Sequence, residues 1–201
     1  MLLTDNIEVF NEDCMEVMAR YSDKYFGLAV VDVPYGIGMM DSDNKSRGKL
    51  AKAKNYKKIN DTDSPLEIYW RELMRVSKNQ IIWGANHFIS KIPIDSPCWI
   101  VWDKDNSGDF ADCELAWTSF DTAVRKFVYR WNGMLQQNMK NKEIRIHPTQ
   151  KPVALYDWIF KNYAEQGMKI LDTHGGSMSS VISADKAGLE MVCCELDKEY
   201  F

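Results

Sequence analysis

Lys169-Ile170-Leu171-Asp172-Thr173-His174-Gly175-Gly176-Ser177-Met178-Ser179-Ser180 is the stretch that decides the fold. Its first four residues, KILD, form an apolar run that reads as a buried strand ending at Asp172. Two glycines then make a turn, and Ser179 to Ala187 reads as a helix stopped by Gly188. A second apolar run, MVCCEL (191–196), follows, with Glu195 placed 23 residues after Asp172. Strand, glycine turn, helix, strand is a βαβ unit, which requires parallel strands covered by helices. At such a turn the backbone N–H groups and the helix dipole face a bound anion or nucleotide. An acid at the end of the next strand is placed to accept hydrogen bonds from ribose hydroxyls. The segment has neither GxGxxG nor GxxxxGK[ST], so a dinucleotide cofactor is disfavoured and a P-loop is excluded. His174 has no acid partner in sequence and reads as part of the cradle's wall.

Outward from this unit the pattern repeats. FGLAVVD (26–32), QIIWGA (80–85), CWIVWD (98–103), CELAWTSF (113–120) and FVYRW (127–131) read as further buried strands. Ser64-Pro65-Leu66-Glu67 is a capping box that predicts a helix from Pro65 to about Ser77. Apolar residues at Val153, Leu155, Tyr156, Ile159 and Phe160 predict a second helix over 152–163, closed by Gly167. Strands alternating with helices predict an α/β fold with a mostly parallel, doubly wound sheet. The stretch 104–146, with hairpin-like strands and polar loops, departs from simple alternation.

The 201 residues fit one domain, and 45% hydrophobic against 27% charged residues is the balance of a globular chain. No apolar run approaches the ~20 residues of a membrane span. The N-terminus is acidic and carries no signal-like apolar region, so the cytoplasm is the expected compartment and no membrane partner is expected. Five cysteines without a CxxC suggest neither a disulfide framework nor a metal site. Net charge is −4, which argues against nucleic-acid binding by bulk charge. Locally, Lys45, Arg47, Lys49, Lys52, Lys54, Lys57 and Lys58 form a run of seven cations with no acid between them. Such a run is either a solvated loop or a phosphate-contacting one.

Ligands of parallel sheets bind at the carboxyl ends of the strands. LAVVD-VPYG places Asp32 at such an end, followed by Val33, Pro34 and Tyr35. The carboxylate can accept a hydrogen bond from an amine. Pro34 keeps Val33 out of the α region, so its carbonyl faces outward. The ring of Tyr35 can stack on a planar base. Two acceptors on one amine, over an aromatic ring, would hold that amine with its lone pair free for attack on an electrophilic methyl. An ordinary strand exit with a half-buried tyrosine is the alternative.

These residues resemble a known family. Asp32-Val33-Pro34-Tyr35 looks like the D-P-P-Y motif of amino-methylating DNA methyltransferases. His147-Pro148-Thr149-Gln150-Lys151-Pro152 matches HPTQKP, which precedes the cofactor strand in a circularly permuted branch of that family. Asp172-Thr-His-Gly-Gly-Ser-Met resembles the D-x-F-x-G-S-G turn that binds S-adenosylmethionine, and Asn11-Glu12-Asp13-Cys14 resembles the G-D-C segment whose Asp meets the cofactor's adenine. The order looks like the β-class arrangement and spans residues 11 to 201. The resemblance implies a seven-stranded methyltransferase sheet with one antiparallel strand, in a single domain (1–201). Its catalytic half would be 1–103 and its cofactor half 147–201, with small DNA-recognition insertions at 36–62 and 104–146.

It also implies roles. Asp32, the Val33 carbonyl, Pro34 and Tyr35 would hold a flipped base. Asp13, Cys14, Asp32, Asp172, His174, Gly175, Gly176, Ser177 and Glu195 would line the S-adenosylmethionine pocket, with Thr149 and Lys151 near its methionine carboxylate. The basic run follows the catalytic turn directly, which favours contact with DNA phosphates. An acid in the first motif position points to adenine N6 as target; cytosine N4 is the alternative. Val33 stands where the family has proline, and Met178 where the turn has its last glycine. These departures raise a catalytically impaired DNA-binding member as the further alternative. Double-stranded DNA is the expected partner; a restriction endonuclease and a second copy of the chain are partners such a protein can have. Most of the seven tryptophans read as core, with Trp131 and the stretch 132–141 as further candidates for DNA contact.

Overall fold

Apolar runs without polar alternation need burial on both faces of a sheet, and a nine-stranded sheet provides it. The computed structural model describes residues 2–36, 65–92, 94–106, 111–132 and 135–201. The strands are β1 (Leu2–Thr4), β2 (Ile7–Phe10), β3 (Phe26–Val31), β4 (Ser77–Trp83), β5 (Trp99–Asp103), β6 (Cys113–Thr118), β7 (Arg125–Val128), a separate two-strand pair β8 (Trp131–Asn132) and β9 (Leu135–Gln136), then β10 (Lys169–Asp172) and β11 (Glu190–Cys194). Helices α1 (Cys14–Met18), α2 (Glu67–Val76), α3 (Val153–Tyr163) and α4 (Ser179–Lys186) cover the faces.

The strand order is β1-β2-β11-β10-β3-β4-β6-β5-β7. The expected seven strands are the inner set, β2 to β5, and within it β6 alone runs antiparallel. Two edge strands extend this set: β1 pairs antiparallel with β2, and β7 pairs parallel with β5. Strand residues alternate between two cores, as the pleat demands. Leu28, Val30, Ile170, Met191 and Cys193 pack beneath α3 and α4. Ala29, Val31, Ile82 and Leu171 pack beneath α2, with Tyr69, Trp70, Leu73 and Val76.

The α2 helix begins at Glu67, two residues later than the capping box predicts, and its N-cap Leu66 makes no side-chain cap bond. Ser64 lies outside the described residues, as do the seven basic residues from Lys45 to Lys58 and most of the 36–62 insertion. Trp131 is a correction. It is 6% exposed and its Nε1 donates to the Gln150 carbonyl at 2.9 Å, so it anchors the chain entering α3 and is core, not a base-contacting ring.

Candidate active site

Strand register puts the two predicted corners side by side. β3 and β10 are adjacent parallel strands, with Leu171 opposite Ala29, so Asp32 and Asp172 leave the sheet at the same edge. Both continue the face of Leu28, Val30 and Ile170, toward α3 and α4. Val33, one residue on, turns to the other face and is buried with Trp70 and Phe88. The branched side chain that replaces the family's proline therefore fills core.

At the Asp32 corner, the Tyr35 hydroxyl donates to Asp32 Oδ1 at 2.9 Å, and the Lys151 ammonium lies 2.5 Å from Asp32 Oδ2. Lys151 is 4% exposed. It also reaches Glu114 Oε2 at 3.1 Å and the Tyr35 hydroxyl at 3.3 Å. Glu114 Oε1 pairs in turn with Lys104 at 2.5 Å. Burial alone would lower the Lys151 ammonium, but Asp32 and Glu114 outweigh it and hold it well above the ordinary lysine value. Burial pushes Glu114 up, and Lys151 and Lys104 more than reverse this, bringing it down to about 2. Burial raises Asp32, with Lys151 opposing. The carboxylates that Lys151 meets are thus two of the chain's own. Thr149 is exposed, with its hydroxyl 3.1 Å from His147 Nδ1.

Tyr35 is held from two further sides. Its ring stacks on exposed His87, centroids 5.0 Å apart and planes at 19°. It also lies so close to Gly84 that a Cβ there would come within 2.1 Å of Tyr35 Cε1. With φ at +68°, that position takes glycine on both grounds.

At the Asp172 corner, Oδ1 accepts from the His174 N–H at 3.0 Å and Oδ2 from the Ser180 hydroxyl at 2.5 Å. Burial, assisted by Asp32 and Glu195, pushes this carboxyl up to about 7. Glu195 clasps the turn: its oxygens accept from Gly176 N–H at 2.7 Å and Asp197 N–H at 2.8 Å. Gly175 donates to the Cys194 carbonyl at 2.7 Å, and Ser177 bonds Ser179 at 2.9 Å. His174 is bonded to Thr173, which Tyr69 of α2 holds at 2.7 Å; burial lowers the imidazole to about 4, so it is neutral at pH 7. Asp13 caps α1 through the Met15 N–H at 2.8 Å and lies near enough to act on His174, while burial and Asp13 push the Cys14 thiol up to about 12.

Met178 adopts the left-handed conformation, φ +58°, that glycine would take without cost. Its side chain packs with the core under α4, 3.9 Å from Cys193 Sγ, and a Cβ on Gly175 would meet its sulfur at 2.8 Å. The methionine is thus drawn under the turn. His147 covers the turn from the other strand connection: a Cβ on Gly176 would touch its ring at 3.7 Å, and Tyr200 packs edge-on at 4.3 Å.

Three contributors escape the sequence reading, Glu114, Lys104 and His87, while His147 enters it only as the first residue of HPTQKP. Only Glu114 carries a signal, as an acid inside an otherwise apolar strand.

Comparison with known proteins bears on the family and the fold. A family model described as DNA methylase, of the N6/N4 type, matches residues 43–201. YubD of Escherichia coli (strain K12), named provisionally as a methylase, is 23% identical over 205 residues, covering 94% of this chain and 84% of its own. The solved structure of M1.HpyAVI with SAM superimposes with a TM-score of 0.59 at 20% identity, over 96% of each chain. PvuII DNA methyltransferase, described as cytosine-N4-specific, gives 0.62 at 11% identity, over 98% of this chain and 84% of that one. At such identities the structural likeness carries the fold. Among the described residues, no helix is long and apolar enough to cross a membrane.

Proposed function

Because the chain belongs to the N6/N4 DNA methylase family, we propose that it transfers a methyl group from S-adenosylmethionine to the N6 amine of adenine in double-stranded DNA. The observation that carries this reading is the adjacency of β3 and β10, which brings the Asp32 turn and the Asp172 turn to one edge of the sheet. The residues fit the cofactor. A Cβ at Gly176 would meet only the His147 ring, at van der Waals distance, acids at 13, 172 and 195 suit a cation and its hydroxyls, and neutral His174 adds no opposing charge. When bound, S-adenosylmethionine supplies a methyl made electrophilic by its sulfonium.

The chain's own groups do the rest. Asp32 and the Val33 carbonyl accept the two hydrogens of the target amine, and Tyr35 stacks on the flipped base. Flipping costs a few kcal/mol, which such contacts offset. As the N–C bond forms and the methyl–sulfur bond breaks, positive charge would pass to the amine, the carboxylate of Asp32 would favour it, and the amine's surplus proton would then leave to solvent. The absorption of Val33 and Met178 into the core supports an active enzyme. The seven basic residues between Lys45 and Lys58 would bind phosphates.

Incubation with tritiated cofactor and unmethylated bacterial DNA, followed by nucleoside mass spectrometry, tests this. N6-methyladenine is expected, and Asp32→Ala should lower transfer by at least about 10²-fold. N4-methylcytosine would favour the second reading, which the likeness to the PvuII enzyme supports. No transfer by the wild type would refute both.

A further inference from the structure

Lys151 joins the two halves of the site, and its position poses a chemical conflict. Its ammonium touches Asp32 Oδ2 while Tyr35 donates to Oδ1, so each oxygen of the carboxylate already has a donor. A cation in contact also offsets the negative charge that the amine needs beside it as it becomes positive. The same ammonium lies 3.1 Å from Glu114, whose other oxygen is held by Lys104. Asp32, Lys151, Glu114 and Lys104 thus form a row of alternating charge, with Lys151 between two carboxylates. We propose that Glu114 is a positioning residue that provides a second seat for Lys151: as the target amine enters, the ammonium moves from Asp32 toward Glu114, and Asp32 Oδ2 accepts the amine hydrogen. This rests on the methyl-transfer reading above.

The displacement is small, because the ammonium is already within reach of both acids. The rings of Tyr35 and Trp83, at 5.8 and 5.5 Å, present aromatic faces to the cation. Lys104 keeps the second seat ionised, and the buried ammonium is paired at either end of its travel. No bond is made or broken in the step.

Glu114→Gln tests the inference. The rate constant of single-turnover transfer should fall about tenfold, with the apparent KM for DNA and cofactor changed less than about threefold, because Glu114 acts only as the amine is seated. Glu114→Asp should recover part of the rate. Among the described residues, the groups facing Asp32 are Lys151, Tyr35 and Glu114, with Tyr156 and Asp172 also acting on it. Removing the charge of Glu114 leaves Lys151 wholly to Asp32, so the acidic limb of the rate profile should move to lower pH. A merely structural residue would lower the rate and leave the limb in place. A carbon-13 NMR titration of the Asp32 carboxyl in wild type and Glu114→Gln reads the same shift without turnover. If the wild type transfers no methyl group, the functional reading fails and the titration alone decides. A folded Glu114→Gln protein with wild-type rate, or with an unmoved Asp32 titration, overturns the proposal.

Discussion

Replacing Lys151 by methionine keeps the length of the buried side chain and removes its charge. Two carboxylates then lose a partner. Glu114 is held at about 2 against an ordinary 4.5. At 1.36 kcal/mol per unit, its partners over-compensate burial by about 3 kcal/mol, shared between Lys151 and Lys104. Among the described residues Asp32 loses its one cationic contact, and it stays under the desolvation that raises it. Removing one partner of a buried pair typically costs about 3–5 kcal/mol. We therefore expect Lys151→Met to lose about 3 kcal/mol at pH 8, which for a chain of this size lowers Tm by roughly 6–12 °C.

The pH dependence gives the stricter test. Glu114 is depressed in the wild type, so its contribution is complete above the unfolded value near 4.5 and is lost as pH falls toward 2. In the variant, Asp32 without its cation is pushed upward. A raised acid destabilises once ionised, so the variant recovers more stability than the wild type on acidification from pH 8 to 5, because in the wild type Lys151 opposes the rise of Asp32. Thermal and urea unfolding at pH 8 and 5 measure both effects. A cost below about 1 kcal/mol, equal at the two pH values, would show that the Asp32–Lys151–Glu114 cluster is not a buried charge network, and the reasoning built on it would fall.

Asp172→Asn should separate from the wild type with pH in a defined direction. The native carboxyl sits near 7, so its stabilising contribution is present below the unfolded value of 3.8 and is lost as pH rises through 7. Relative to wild type the variant should gain about 4 kcal/mol between pH 4 and 8, read by urea melts; a pH-independent difference refutes it. Met178→Gly relieves a left-handed backbone worth about 1–2 kcal/mol but leaves space beside Cys193, and the packing loss should win by about 1 kcal/mol. A variant more stable than wild type in urea would mean that the side chain contributes no packing. Neutralising Lys45, Arg47 and Lys49 together should reduce the slope of log affinity for duplex DNA against log salt by roughly 2–3, and an unchanged slope would remove those residues from the phosphate contacts.

The fold was legible where burial on both faces leaves a plain mark. KILD, LAVV and QIIW are continuous apolar runs because each lies between two layers of helix, and their ends gave Asp172 and Asp32 directly. The edges were not legible. β1 and β2 lie in Leu2 to Phe10, where acids and Asn6 interrupt the apolar pattern, and the five residues of α1 are too few for a helical stripe. The capping box misplaced the start of α2 by two residues, since proline's fixed φ suits an extended approach as well as a first turn.

The charge network was illegible for a different reason. Lys151 lies 119 residues from Asp32 and 37 from Glu114, and no period in the sequence relates them. Sheet order brings them together: β6 inserts antiparallel beside β4, so Glu114 approaches from the side opposite β10, and the chain entering α3 crosses over the gap with Lys151 at its end. Motif reading gave Lys151 to a cofactor carboxylate because a cation seeks an anion and the cofactor offers one. The fold offers two anions of its own, Asp32 at 2.5 Å and Glu114 at 3.1 Å, and a buried ammonium takes the carboxylates that are already there. The lysine of HPTQKP therefore sets the charge around Asp32, and under the proposed methyl transfer what reaches the amine would depend on where that lysine rests.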